Sequence, residues 1–328
     1  MRVAVLGAGA IGGWLAAGLA RAGNEVGVLA RGASLAALQR DGLVLSEGER
    51  SEAFAVAATD DPAALAGPDL LLLGLKGQDL PGALPLIRAL LGPNTRVVAA
   101  LNGLPWWFLQ GFGGPAEGMV LDSVDPGGAL AAALPASRVV GAVVHAGSRV
   151  EAPGRIRLMK ADRVLLGDPD GTGQAPALAA AFRAGGIPAE AVGDIRGEVW
   201  TKLWGNSNMN TLGALARADV LQLLDDDGTR GLALAMMREM ADLGERIGLT
   251  GLGDPEGRIT VTRRLGAFRT SMVQDLEAGR EMELGPILGA LVELGARLGQ
   301  PVPTLAGVHG LLRLLALNLG LAGKVERR

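Results

Sequence analysis

The chain opens with a short β-type run, Met1–Leu6, then glycines, then apolar residues at helical spacing over Ile11–Ala22. A turn at Gly23–Asn24 leads into a second β-type run, Glu25–Ala30. That is a β-α-β unit within about thirty residues, the span a dinucleotide-binding unit takes. Further runs predict strands over Gly42–Leu45, Ala53–Ala57, Leu70–Leu75 and Arg96–Ala100, and later over Val139–Ala146, Ile156–Met159 and Val164–Leu166. The stretch DLLLLGLK is almost continuously apolar, as a parallel strand covered on both faces would be. Beyond GDPDGTGQAP, residues 167–176, helical spacing takes over. It predicts helices over Ala177–Ala184, Ile195–Ala214, Thr229–Ile247, Glu256–Ala278, Pro286–Leu298 and 305–319, with Gly248 and Gly279 placed as C-terminal stops. The fold class expected is α/β: a doubly wound parallel sheet of the Rossmann type over 1–169, then an all-helical substrate domain over 170–328, with a cleft between them.

Composition narrows the chemistry. The chain has 328 residues, enough for two cores, and a net charge of −3 with no basic tract, so no nucleic-acid partner is expected. It has no cysteine, which excludes disulfides, thiolate catalysis and cysteine–zinc sites. The only histidines are His145 and His309, too few for a three-histidine metal centre, so no metal is expected. There is no tyrosine, which excludes a Tyr–Lys reductase. The remaining general acids are Lys, Asp, Glu and those two His. The apolar N-terminal run resolves into strand, glycine turn and helix, not a secretory leader, and the late run LAGVHGLLRLLALNLGLAG carries His309 and Arg313 mid-run. A cytoplasmic protein without a membrane partner is expected. The apolar C-terminal helices leave room for a homodimer.

Gly7-Ala8-Gly9-Ala10-Ile11-Gly12 fits G-x-G-x-x-G in the right setting of strand, turn and helix. The first glycine allows the tight turn, the second lets a pyrophosphate approach the backbone, and the third lets helix and strand pack closely. The second strand ends in Ala30-Arg31, where an acidic residue usually meets the free ribose hydroxyl of NAD. A guanidinium suits a 2′-phosphate instead, which favours NADPH/NADP+; an ordinary surface arginine at a strand end is the plainer reading. Lys76 and Asn102 follow predicted parallel strands on their C-terminal side, where open α/β sheets bind ligands.

In GEVWTKLWGNSNMN, residues 197–210, Lys202, Asn206 and Asn210 recur every fourth residue and share one helix face. Apolar shoulders flank this narrow polar stripe, which reads as a cleft wall or as a solvated face. As a cleft wall it has a use. When hydride reaches a ketone carbon, charge builds on the oxygen, and a lysine ammonium can stabilise that charge and deliver the proton.

Taken together, GAGAIG, Arg31, LK at 75–76, NG at 102–103, EVWTKLWGNSNMN and SMVQDLEAGREMELGPI at 271–287 resemble the ketopantoate reductase (2-dehydropantoate 2-reductase) family over nearly the whole chain. The resemblance implies NADPH-dependent reduction of 2-dehydropantoate to (R)-pantoate on the route to pantothenate and coenzyme A. It places the catalytic lysine at Lys202, substrate contacts at Asn206, Asn210 and Ser271, and an acidic residue near the reacting oxygen and nicotinamide ribose at Glu283. On the cofactor side it implies Gly7, Gly9, Ala10, Ile11 and Gly12 at the pyrophosphate, Arg31 at the 2′-phosphate, and Lys76 on the phosphate side. It also implies Asn102 at the ribose and a backbone contact at Gly147.

Two departures bear on the substrate. Between Asn102 and His145 the chain is about twenty residues longer than the family's usual length, long for a compact connection. The added residues include PWWFLQGFGGP, whose Trp106 and Trp107 are expected to pack on the helical domain or to cover the nicotinamide side. Where the family often has a further asparagine there is Ala218-Asp219-Val220, and an aspartate there would repel a substrate carboxylate. A different, bulkier 2-oxo acid is therefore one alternative, and a non-enzymatic NADPH sensor is another.

Overall fold

The computed structural model describes residues 1–251 and 253–322, and the chain divides into two compact units. The first unit comprises Met1–Leu101 and Ala129–Glu198. Its elements are β1 (Arg2–Leu6), α1 (Ala10–Arg21), β2 (Glu25–Leu29), α2 (Gly32–Asp41), β3 (Leu43–Glu47), β4 (Arg50–Phe54), β5 (Ala57–Thr59), β6 (Leu70–Leu73), α3 (Leu80–Leu90), β7 (Arg96–Ala99), α4 (Ala129–Ala133), β8 (Val139–Ala152), β9 (Arg155–Gly167), α5 (Ala175–Ala184) and β10 (Ala189–Ala191).

All ten strands form one sheet, ordered β4-β3-β9-β8-β7-β6-β1-β2-β5, with β10 beside β9. From β8 through β7, β6, β1 and β2 to β5 the pairing is parallel, while β3–β4 and β8–β9 are antiparallel. The sheet is thus mixed, with a parallel dinucleotide-type centre. The centre forms because its strands are apolar on both faces: Leu70 to Leu73 are all buried, and each such leucine contributes about 2 kcal/mol of burial. Helix α1 covers one face through Trp14, Leu15 and Leu19, which join Val3, Val5 and Val28 in the core.

The second unit comprises Asn102–Gly128 and Val199–Arg328. Its helices are α6 (Ile195–Ala216), whose first turn belongs to the first unit, α7 (Val220–Asp225), α8 (Asp227–Ile247), α9 (Pro255–Arg263), α10 (Ser271–Glu277), α11 (Ala290–Leu298) and α12 (Pro303–Asn318). A π-turn, Gly285–Gly289, runs directly into α11. The core is built around α6: Trp200, Leu203, Trp204 and Met209 are buried, as are Met236, Met237 and Met240 of α8. The Trp204 indole N–H donates to the Met237 carbonyl at 2.8 Å. Among the described residues, no helix is long and apolar enough to cross a membrane.

Several expectations need correction. The boundary at 169/170 falls inside the first unit, because β10 pairs with β9 and α5 packs on α1 and β10. Residues 167–176 do not separate the units; the Asp168 carboxylate accepts from the Ala175 N–H at 2.9 Å and ties this turn to the start of α5. The strand expected over 53–57 is two strands at opposite edges of the sheet, β4 on β3 and β5 on β2. The two strands expected over 156–159 and 164–166 are one, β9, whose register shifts against β8 absorb the polar middle. The helix expected over 256–278 is broken into α9 and α10 around Gly266, whose φ of +79° no α-helix contains. Helices α2 and α3 were not expected: α2 buries only Ala37 and Leu38, and α3, though it buries Leu80, Leu84, Ile87 and Leu90 at helical spacing, holds Pro85 inside it.

Candidate active site

In the first unit, Gly7, Arg31 and Lys76 each follow the C-terminal end of a parallel strand, β1, β2 and β6 respectively. Gly7 has φ of +96°, and a Cβ there would lie 2.7 Å from the Gly74 carbonyl carbon. A Cβ on Gly12 would lie 2.1 Å from the Gly7 carbonyl oxygen, so α1 can approach β1 only because Gly12 has no side chain. At Gly9 a Cβ would meet nothing within 4 Å. Gly9 is also the N-cap of α1, with Ala10 and Ile11 opening the helix, so it borders open space beside helix N–H groups. Two glycines closed by backbone and one facing outward at a helix N-terminus make a cradle that fits a pyrophosphate. Arg31 is exposed and precedes α2. Gly147 is exposed in β8, at a register irregularity against β9, with nothing near its missing Cβ.

Asn102 follows β7 in the chain but is the first residue of the second unit. Its partners are there. The Lys202 ammonium donates to Asn102 Oδ1 at 2.8 Å, and Asn102 Nδ2 donates to Glu283 Oε2 at 3.0 Å. Glu283 is buried and lies just before the π-turn. A lysine, an amide and a carboxylate from three distant parts of the chain therefore form one hydrogen-bonded line. Burial pushes the Lys202 ammonium down from 10.5 to about 8, and attraction to Glu283 resists that fall. At pH 7 roughly nine in ten Lys202 side chains remain protonated, so the group still holds a proton to give.

On α6, Lys202, Gly205 and Asn206 are half-buried and Thr201 is exposed, whereas 203, 204 and 207–210 are buried. The open face of this helix is thus its 201–206 side. Asn206 lies on it beside Lys202, while Asn210, one turn on, is buried. The neighbouring polar residues are absorbed by the helix itself: the Asn208 amide donates to the Trp204 carbonyl at 2.6 Å, and the Thr211 hydroxyl to the Ser207 carbonyl at 2.6 Å. Ser271 opens α10 and is exposed. Helix α10 packs near Gly213 of α6, where a Cβ would lie 3.1 Å from a Val273 methyl. Ser271 follows Thr270, whose hydroxyl oxygen lies 3.7 Å from the same point. Sequence reasoning missed Arg258 on α9. Its Nη2 lies 3.2 Å from where a Cβ on Gly205 would be, so the guanidinium rests over the open face of α6. A glycine between Lys202 and Asn206 was the available sign.

The residues expected to bear on the substrate are occupied elsewhere. Trp106 and Trp107 are buried and belong to the second unit. Phe108 stacks on Trp200 at 5.9 Å between ring centroids and on Phe112 at 5.6 Å. Asp219 is the N-cap of α7: it accepts from the Gln222 N–H at 3.0 Å while its own N–H donates to Gln222 Oε1 at 2.9 Å. Its carboxylate is committed to the helix start.

Comparison with known proteins bears on this arrangement. Residues 3–106 match the family model "Ketopantoate reductase PanE/ApbA", and residues 194–316 match "Ketopantoate reductase PanE/ApbA C terminal". A 2-dehydropantoate 2-reductase of Mesorhizobium japonicum is 42% identical over 98% of this chain and 99% of its own length. A solved structure from Ralstonia solanacearum MolK2 is 40% identical with a TM-score of 0.93, covering 98% of this chain and 99% of that one. A PanE/ApbA family ketopantoate reductase from Ralstonia eutropha JMP134 is 28% identical with a TM-score of 0.82, covering 98% of this chain and all of that one.

Proposed function

The chain belongs to the ketopantoate reductase family, and we propose that it reduces 2-dehydropantoate to (R)-pantoate with NADPH, Lys202 giving the proton. The observation that carries the reading is the Lys202–Asn102–Glu283 line, with an ammonium brought by burial to about 8. A surface lysine near 10.5 holds its proton too tightly to be an effective acid at neutral pH; one near 8 is better matched.

Gly7, Gly9, Ala10, Ile11 and Gly12 would hold NADPH, with Arg31 at its 2′-phosphate and Lys76, Asn102 and Gly147 as further contacts, and the bound cofactor would supply the hydride. Asn206, Asn210 and Ser271 orient the substrate's polar groups. Arg258, over the same face of α6, adds positive charge that suits an anionic substrate. As the keto carbon takes hydride, the C=O π pair moves to oxygen, and Lys202 Nζ stabilises that charge and releases a proton to it. Glu283 and Asn102 keep the ammonium charged and aimed until then.

The exposed leucines Leu311, Leu314 and Leu317 on α12 support a homodimer formed through this helix. Sedimentation of wild type as a monomer would remove that part of the reading.

The test of the reaction is NADPH oxidation by absorbance, with 2-dehydropantoate beside other 2-oxo acids and NADH as control. Turnover should be fastest with 2-dehydropantoate and NADPH, and Lys202→Ala should lose at least a hundredfold in kcat while still binding NADPH. Preference for a bulkier 2-oxo acid would move the substrate assignment, and full activity in Lys202→Ala would remove the proton donor.

A further inference from the structure

Asn102, the middle of the proton-donor line, begins the segment 102–128 of the second unit, and Glu283, its far end, lies just before the π-turn Gly285–Gly289. Segment and turn are fastened to each other at two places. At the start of the segment, the Leu104 N–H donates to the Pro286 carbonyl at 2.8 Å. Gly103 lies flat on the same peptide: with φ of +80°, a Cβ there would be 2.4 Å from the Pro286 oxygen. Near the end of the segment, the Ser123 carbonyl oxygen reaches the other side of the turn, 2.7 Å from where a Cβ on Gly285 would be. The Ser123 side chain meets Gly289, its Cβ 3.3 Å from the missing Cβ of that residue.

One side chain holds the second fastening. The Glu293 carboxylate, in the first turn of α11, accepts from the Asp122 N–H at 2.9 Å, from the Ser123 N–H at 2.8 Å and from the Ser123 hydroxyl. Arg297 donates to Glu293 at 2.6 Å and to Asp122 at 3.3 Å. Four donors on one half-buried carboxylate, three of them from the segment, make a specific attachment. A π-turn has a wider, less regular backbone than an α-helix and is found where a protein places a functional group.

We propose that Ser123 and Glu293 are positioning residues for the reduction: by pinning segment 102–128 to the π-turn, they hold Glu283 on Asn102 and so keep Asn102 and Glu283 in register with Lys202. Neither touches the reacting atoms. They act through the turn, and the inference rests on Lys202 being the proton donor. A misplacement of about 1 Å in such a line costs on the order of a hundredfold in rate, so partial slack should cost roughly tenfold.

A merely structural role would lower stability or rate without altering the ionisation of Lys202. A positioning role alters it, because Glu283 raises the Lys202 pKa against the effect of burial. Arg258, another charge placed along this face of α6, is on α9 and outside the pinned segment. Letting Glu283 drift should therefore move the alkaline limb of the kcat profile to lower pH.

The experiment compares wild type, Ser123→Ala, Ser123→Thr and Glu293→Gln in the full chain. Ser123→Ala removes the hydroxyl bond and leaves both main-chain bonds; Glu293→Gln weakens all three. The expected order of acid-ward displacement of the limb is Glu293→Gln, then Ser123→Ala, with Ser123→Thr at the wild-type position. The same ionisation is read without turnover by NMR of protein labelled at the lysine ε-carbon. Wild type that turns over no 2-oxo acid would sink the functional reading alone; an unmoved Lys202 resonance in Ser123→Ala and Glu293→Gln would sink this one. If Glu293→Gln does not fold, Ser123→Ala decides.

Discussion

Replacing Lys202 with methionine should make the protein more stable relative to wild type at neutral pH than at pH 10.5. The ammonium is pushed from 10.5 to about 8, and burial is the larger cause. Keeping it charged in the folded state therefore costs about 3 kcal/mol below pH 8, at 1.36 kcal/mol for each pH unit. The sign follows from proton counting. Between pH 8 and 10.5 the unfolded chain holds a proton that folded Lys202 has released, so wild-type stability rises with pH across that window. Above 10.5 both states are neutral and the cost is gone. Methionine has no such titration. At roughly 2 °C for each kcal/mol, the Tm difference, variant minus wild type, should shrink by about 6 °C from pH 7 to pH 10.5. The absolute difference at pH 7 also contains the loss of a partner for buried Glu283, which is why the change with pH is the quantity to measure. Differential scanning calorimetry of the two proteins at matched ionic strength reads it. A difference that stays constant across the window would refute a buried, depressed ammonium at residue 202.

Glu283→Gln removes the attraction that holds the Lys202 pKa up, so the alkaline limb of kcat should move down by about one pH unit or more; a limb that moves up would contradict it. Arg31→Ala should raise KM for NADPH roughly ten- to a hundredfold and leave KM for NADH nearly unchanged, in steady-state assays with each cofactor. Gly12→Ala puts a Cβ 2.1 Å from the Gly7 oxygen, with backbone on both sides, and should abolish NADPH binding in a fluorescence titration. Burial alone would raise the Glu293 pKa, but the bonds from Ser123, Asp122 and Arg297 outweigh it and hold it low. Its contribution is present above the unfolded value of 4.5 and lost as pH falls, so Glu293→Gln should show a flatter acid arm of Tm against pH than wild type.

The parallel centre of the sheet and the glycine cradle could be read from the chain because both are local. Apolar strands of four to six residues and a fixed glycine spacing carry their own physics. The stripe on α6 was equally local, and the open face at 201–206 includes two of its three members. What could not be read depended on partners far away in sequence. Residues 53–57 look like one strand, and only the pairing of β4 with β3 and β5 with β2 divides them. Asp219 looked like an obstacle to an anionic substrate because its capping partner, Gln222, is visible only once α7 is known to start there. Arg258 had no periodicity of its own, and its place depends on Gly205 of another helix. The unit boundary is hidden in the sequence for the same reason: a Gly- and Asp-rich stretch marks a turn, and whether that turn separates two cores depends on what α5 and β10 pack against.

The segment 102–128 changes meaning once its fastenings are known. By composition it is a hydrophobic excursion with two tryptophans, which suggests a wall against a larger substrate. Its aromatic residues are instead consumed internally, with Trp107 and Phe108 fully buried and Phe108 stacked on Trp200. Trp200 precedes Lys202 by two residues on α6, so the helix carrying the proton donor is packed against the segment that begins with Asn102. The same segment is pinned to the turn after Glu283. One stretch of chain thus ties together the donor, its amide and its carboxylate. That suits a lysine whose ionisation balances two opposed effects: tighter enclosure alone would drive the ammonium below 8, and a closer carboxylate alone would return it toward 10.5. Holding an intermediate value requires both distances to be fixed, which a segment attached to each element can do and a longer substrate pocket could not.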